Sequence, residues 1–128
     1  MSYLDRQADF SDLIGKTVDK VDGGNEGDEE IKFYCSDGVN YLMYHAQDCC
    51  ENVRITDIDG DIQEILVGQE VLVAEEITNA DFPEPANADS YTWTFYKLAT
   101  IKGWLTIRWL GESNGYGYYS ESVEFEKI

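Results

Sequence analysis

YTWTFYKLATIKGWLTIRWLGES, residues 91–113, decides the fold class. Tyr91, Trp93 and Phe95 alternate with Thr92, Thr94 and Tyr96. After Lys102-Gly103, the residues Leu105, Ile107 and Trp109 alternate with Thr106 and Arg108. A period of two is that of a half-buried strand, because successive side chains leave a pleated chain on opposite faces. Two such runs with a tight turn between them read as an antiparallel hairpin. Ser113-Asn114-Gly115 turns the chain again. The final strand sets Val123 and Phe125 against Ser122, Glu124 and Glu126. The last third is therefore a β-meander, and Trp93, Phe95, Leu105, Ile107, Trp109, Val123 and Phe125 are its expected core.

The same signals extend toward the N-terminus. Asp9 and Asp12 have the spacing of a helix start, and Gly15 ends a short helix with Phe10, Leu13 and Ile14 on its buried side. Strands follow at Thr17–Val21, Glu30–Cys35, Asn40–Ala46 and Asn52–Thr56, with Asp37-Gly38 as a hairpin turn. A second short helix covers Ile62–Val67, with Asp61 and Glu64 at capping-box spacing and Gly68 as terminator. Glu70–Thr78 is a strand, and residues 79–90, which hold both prolines, form a loop. The expectation is one domain over residues 1–128, α+β but mainly antiparallel β. It has about eight strands, as a twisted sheet, a sandwich or a half-open barrel, with two short helices.

The chain has 128 residues, is 43% hydrophobic and carries a net charge of −17. That length and apolar content support a sizeable core, so the charge does not make it disordered. Residues 1–90 hold 22 of the 26 acidic side chains and 5 of the 9 basic ones, so the whole net charge lies there. The remaining stretch is balanced and contains all three tryptophans. An acidic body joined to a neutral aromatic end repels nucleic acid and anionic membranes and attracts cationic protein surfaces. The few bases are scattered singly, so direct nucleic-acid binding is not expected. No apolar run approaches the roughly 20 residues of a membrane span. The acidic N-terminus lacks a basic-then-apolar leader, which predicts a cytoplasmic protein. Cys35, Cys49 and Cys50 are an odd number, two of them adjacent, and reduced thiols are the simplest expectation.

Three groups of residues carry candidate chemistry. The stretch DGGNEGDEE, residues 22–30, is an exposed Gly-rich turn, and as an interaction element it would present Asp22, Glu26, Asp28, Glu29 and Glu30. Asp57, Asp59, Asp61 and Glu64 form a second acidic stretch. Counted from Asp57, it fails the calcium-loop pattern, because the places for Gly and Glu hold Ile62 and Gly68. A loose hydrated Mg²⁺ or Ca²⁺ site stays open there, while helix capping explains Asp61 directly. His45, Asp48, Cys49, Cys50 and Glu51 are the densest cluster of functional side chains. A metal site would use His45 with one of the adjacent cysteines, such as Cys49, plus Cys35 from the neighbouring strand, with Asp57 and Asp59 as further candidates. A nucleophile would need a cysteine thiolate with His45 as base, which acidic surroundings oppose. The plain reading is a packed cysteine with Asp48 and Glu51 holding a turn. No zinc spacing matches, and no cofactor is called for. Trp104, Tyr116, Tyr118 and Tyr119 fall at strand edges or in the Asn114-Gly115 turn, where exposed aromatics serve as interface anchors.

Two strings are distinctive together: MYHAQDCCENVRITDIDGD at 43–61 and WTFYKLATIKGWLTIRWLGESNGYGYYSESVEFE at 93–126. They resemble an uncharacterised domain family found mainly in bacteriophages and prophages. The likeness runs over most of the chain from about residue 15, with Gly117-Tyr118 lengthening the final turn relative to the family pattern. The resemblance implies a phage context, and with it an infected bacterial host, but assigns no catalytic residue. In that context the charge predicts a non-enzymatic accessory protein. Its partner would be a host protein with a cationic surface, such as a defence nuclease, inhibited in the manner of an anti-CRISPR or a nucleic-acid mimic. The alternatives are a small ligand- or metal-binding module centred on His45, Cys49 and Asp57, and a virion or assembly component. The sequence fixes no oligomeric state.

Overall fold

The computed structural model describes residues 7–47, 50–79, 90–113 and 121–128. A 3-10 turn at Phe10–Leu13 leads into β1 (Thr17–Gly23), β2 (Glu30–Cys35), β3 (Asn40–Tyr44) and β4 (Asn52–Asp59). One helical turn, α1 (Ile62–Ile65), precedes β5 (Gln69–Glu70), β6 (Val73–Asn79), β7 (Ser90–Thr100), β8 (Gly103–Ser113) and β9 (Glu124–Lys127). The strands form two antiparallel sheets, ordered β5-β1-β2-β3-β9 and β4-β8-β7-β6. Neither sheet closes on itself, and both contribute to one hydrophobic cluster.

The β7–β8 hairpin has the register its alternation demands, with Leu98 opposite Leu105, Tyr96 opposite Ile107 and Thr94 opposite Trp109. Thr94 is buried with them, and the apolar members of these pairs share one cluster with Val18, Ile31, Phe33, Tyr41, Met43 and Phe125 of the other sheet. Phe10 joins the layers, its ring 4.7 Å edge-on from Tyr96 and 5.5 Å from Phe125. Trp109 is fully buried. Removing such an aromatic from water is worth roughly 4–6 kcal/mol at about 25 cal/mol per Å².

Several sequence expectations need correction. Trp93 lies opposite Leu110 and Phe95 opposite Arg108, so both lie on the other face of the second sheet, outside the cluster that the two sheets share; Phe95 is buried there, as expected of a core residue, whereas Trp93 is half-buried. Strand alternation cannot say which of two apolar sets faces inward when both are aromatic. The first expected helix is a single 3-10 turn, and Ile14 is half exposed because the chain turns outward after Leu13. The second helix stops at Ile65, not Val67. The expected strand Glu70–Thr78 is two strands, since Gln69–Glu70 pair with β1 while Val73–Asn79 pair with β7. Nine strands are present among the described residues.

The charge split along the chain is not a split in space. The second sheet takes β4 and β6 from the acidic region and β7 and β8 from the neutral one. Its two arginines are spent on that contact: Arg108 lies 2.6 Å from Asp57, and Arg54 lies 2.7 Å from Glu112.

Candidate protein-binding surface

The two acidic stretches, separated by some thirty residues, meet at one end of the molecule. Gly23 and Gly24 make this approach. Both have left-handed backbone (φ +85 and +82), and a Cβ on Gly24 would sit 2.6 Å from Ile62 Cδ1 of α1. The turn that follows adds to the edge of β4, because the Gly27 N–H donates to the Ile55 carbonyl at 2.8 Å and the Ile55 N–H donates to Asp28 at 2.9 Å. The Asp28 carboxylate accepts from the Asn25 N–H at 2.9 Å and so shapes the turn.

A cleft of about 380 Å³ separates Gly24–Glu26 from Gly60–Ile62, with Glu26 on one lip and Asp61 on the other. A second cleft is lined by Asp22, Asp28, Glu29, Glu30 and Lys32. A third, of about 490 Å³, runs from Glu29 and Glu30 to His45 and Glu51. Glu29 and Glu30 line both the second and the third cleft, and Gly23 lines both the first and the second, so the three clefts adjoin and their acids form a rim. Asp22, Glu26, Glu29, Glu30 and Glu64 are exposed. The bases nearby are few, and Lys20 reaches Asp22 only at 3.6 Å with both groups in solvent.

The other acids of the second stretch have structural partners. Asp61 Oδ1 accepts from the N–H groups of Gln63 and Glu64, capping α1 as expected. Asp57 and Asp59 both face Arg108, at 2.6 and 3.8 Å. Trp104 is 61% exposed. Its carbonyl lies beside Gly60, at the 3.0 Å a Cβ there would reach, so it borders the acidic rim. Tyr116, Tyr118 and Tyr119 lie outside the described residues, as do Asp48 and Cys49.

His45 is occupied. Its Nδ1 lies 2.6 Å from the Ser122 carbonyl and its Nε2 lies 2.7 Å from Glu51 Oε2. The two side chains are only 3% and 0% exposed. Gln47 donates to Glu51 Oε1 at 3.2 Å and to its carbonyl at 2.7 Å. The ring nitrogen facing a carbonyl donates its N–H, and the other is held by the carboxylate, so neither ring nitrogen is open to a metal or to a substrate proton. Among the described residues no three His, Cys, Asp or Glu side chains converge to hold a metal ion. Glu51 is thus half of a buried pair that ties β3 to the start of β4 and to Ser122. Nothing in the spacing of His45 and Glu51 announced it.

Cys35 is a free, buried thiol, raised above its ordinary value first by burial and next by Asp37. It is a packing residue, not a nucleophile. Cys50 is disulfide-bonded, which departs from the expectation of three reduced thiols. That expectation weighed the strain of linking neighbours, but an odd count leaves one thiol free whichever pair forms. Asp37 is held below its ordinary value by the Lys16 ammonium and the Val39 N–H, and Lys16 is raised by the same contact.

The profile of a domain of unknown function, DUF7448, matches residues 11–125. The chain belongs to that family. The DUF7448 domain runs from the 3-10 turn to β9, so both sheets and the acidic rim are parts of it. No match is found among curated proteins or solved structures.

Proposed function

We propose that this DUF7448 protein is a small acidic phage accessory protein that binds and inhibits a nucleic-acid-handling protein of the bacterial host, such as a defence nuclease. The observation that carries the reading is the joining of the two acidic stretches into one rim, where Asp22, Glu26, Glu29, Glu30, Asp61 and Glu64 stand with few bases to neutralise them. Carboxylates spaced along a rim can occupy a cationic groove that normally takes phosphates. Trp104 at its border supplies an aromatic anchor, the residue type that carries much of the binding energy in interfaces. Its action would be in the host cytoplasm, by occupation rather than chemistry.

The test reverses Asp22, Glu26, Glu29 and Glu30 to Lys together and measures affinity for the partner as a function of salt. The reading expects wild-type affinity to fall steeply with salt and the reversed protein to bind at least tenfold more weakly with a flattened slope. Equal affinity and equal slope in both proteins would overturn it. Competition by duplex DNA for the same partner then separates groove occupation from binding elsewhere.

A further inference from the structure

An edge strand directs every second backbone N–H and C=O away from its sheet, where another strand can pair with them. The two open sheets have four edges, β5, β9, β4 and β6. Three of them are short or closed. β5 is two residues long. β9 is bridged at Glu126 by Gln7, and its Phe125 carbonyl accepts from the Ala8 N–H at 3.1 Å. β4 is closed at Ile55 by its two bonds to Gly27 and Asp28. β6 differs. It is seven residues long and pairs with β7 throughout, and among the described residues no backbone hydrogen bond reaches its other side. Glu75, Glu76, Ile77 and Thr78 are exposed in succession, so both faces of the strand stand in solvent. A crevice of about 500 Å³ between β6, the 3-10 turn and β9 leaves room beside it.

The side chains of this edge restrict what can join it. Glu75 and Glu76 are neighbours, so one carboxylate stands on each face of the strand. Among the described residues no Lys, Arg or His lies within ion-pair distance of either. Two copies of β6 paired antiparallel about this point would set glutamate against glutamate, and like charges directly opposite are destabilising. The edge is therefore closed to a second copy and open to a strand of opposite charge. Two apolar residues bracket the acids. Ile77 is 37% exposed on the outer face, and Ala74 lines the crevice on the inner one.

We propose that the free edge of β6 takes an extended segment of a protein partner as an added strand. Two adjacent bases of that segment lie opposite Glu75 and Glu76, with an apolar β-former on each side of them, opposite Ala74 and Ile77. Main-chain hydrogen bonds supply affinity whatever the sequence, and the four facing side chains supply the choice. The order apolar, basic, basic, apolar reads the same both ways, so it holds for either strand direction. The inference shares with the proposed function the basic character of the partner, but it rests on the edge of β6 and not on the rim.

The experiment titrates the isotope-labelled full chain with a capped peptide of two adjacent lysines flanked by valines and then threonines. Amide chemical shifts and amide hydrogen exchange are the readouts. In the free chain, alternate amides of Val73–Asn79 should exchange as fast as exposed loop amides do. The peptide should shift β6 amides saturably and slow that exchange about tenfold or more. Glu75→Gln, an exposed substitution that keeps the fold, should weaken binding about twofold to fivefold, the size of one cross-strand charge pair. Glu26→Gln/Glu29→Gln, on the rim, should bind the peptide as wild type does. A peptide N-methylated across its four central residues keeps its charges and loses its donors, and it should not bind. Equal binding by that peptide would reduce the contact to charge and overturn the added strand. Equal binding by a peptide with glutamates in place of the lysines would overturn the basic assignment. Protection of the β6 amides in the chain alone would overturn the partner assignment, in favour of a second copy where it grows with concentration, or of the chain's own N-terminal stretch where deletion of residues 2–6 abolishes it. None of these results touches the salt dependence of partner binding, which tests the rim.

Discussion

Gly24→Ala should cost about 2 kcal/mol. The magnitude has two parts. Gly24 holds φ +82, where an added Cβ is strained by about 1–2 kcal/mol. The Cβ also meets Ile62 Cδ1 at 2.6 Å, a contact that only a shift of the Ile62 side chain relieves. Ile62 is a buried core residue, so that shift disturbs packing and adds a few tenths to about 1 kcal/mol. In a domain of this size the sum lowers the melting temperature by about 6–10 °C. A double-mutant cycle isolates the second part. Ile62→Val removes Cδ1 and by itself costs about 1 kcal/mol. Because the removed methyl is the clashing atom, the double variant should be more stable than the sum of the singles by at least about 0.5 kcal/mol. Urea denaturation of the four proteins measures this. Strict additivity would mean that the 22–30 turn does not rest on α1, and the continuity of the acidic rim would fall with it.

Two further outcomes follow from the buried and surface pairs. His45→Ala and Glu51→Ala should each destabilise the fold by about 3 kcal/mol, since each strands a buried polar partner, and the double variant should cost clearly less than the sum. Additive losses in urea melts would refute the pair. The Lys16–Asp37 contact holds the Asp37 carboxyl below its ordinary 3.8. A depressed carboxyl stabilises the fold above its unfolded value and loses that contribution as pH falls through its folded value. Asp37→Asn should therefore flatten the stability profile below about pH 4 while leaving its shape near pH 7, and an unchanged acid limb would refute the contact.

Local patterns were legible in the sequence where one residue type decides a local conformation. Asp37-Gly38 forms its hairpin, with the Val39 N–H on Asp37 Oδ1 at 2.9 Å, and Asp61 caps α1. The period-two runs at 91–100 and 105–109 form the longest ladder of the protein. What was not legible is non-local. Whether Phe95 or Tyr96 faces inward depends on which sheet covers the hairpin, and that is set by strands far away in the chain. The meeting of residues 22–30 with α1 needs Gly24 and Ile62 in contact, and no spacing encodes it. The His45–Glu51 pair spans a turn whose path the sequence left open.

The central claim is that the acidic rim selects a basic, nucleic-acid-handling partner. Affinity capture from phage-infected bacteria, with wild type beside the Asp22, Glu26, Glu29 and Glu30 charge-reversed protein, tests it most directly. The account predicts that wild type retains a nucleic-acid-binding host protein that elutes with salt and is absent from the reversed protein's capture. Recovery of the same proteins by both, or capture of nucleic acid itself by the wild type, would contradict it.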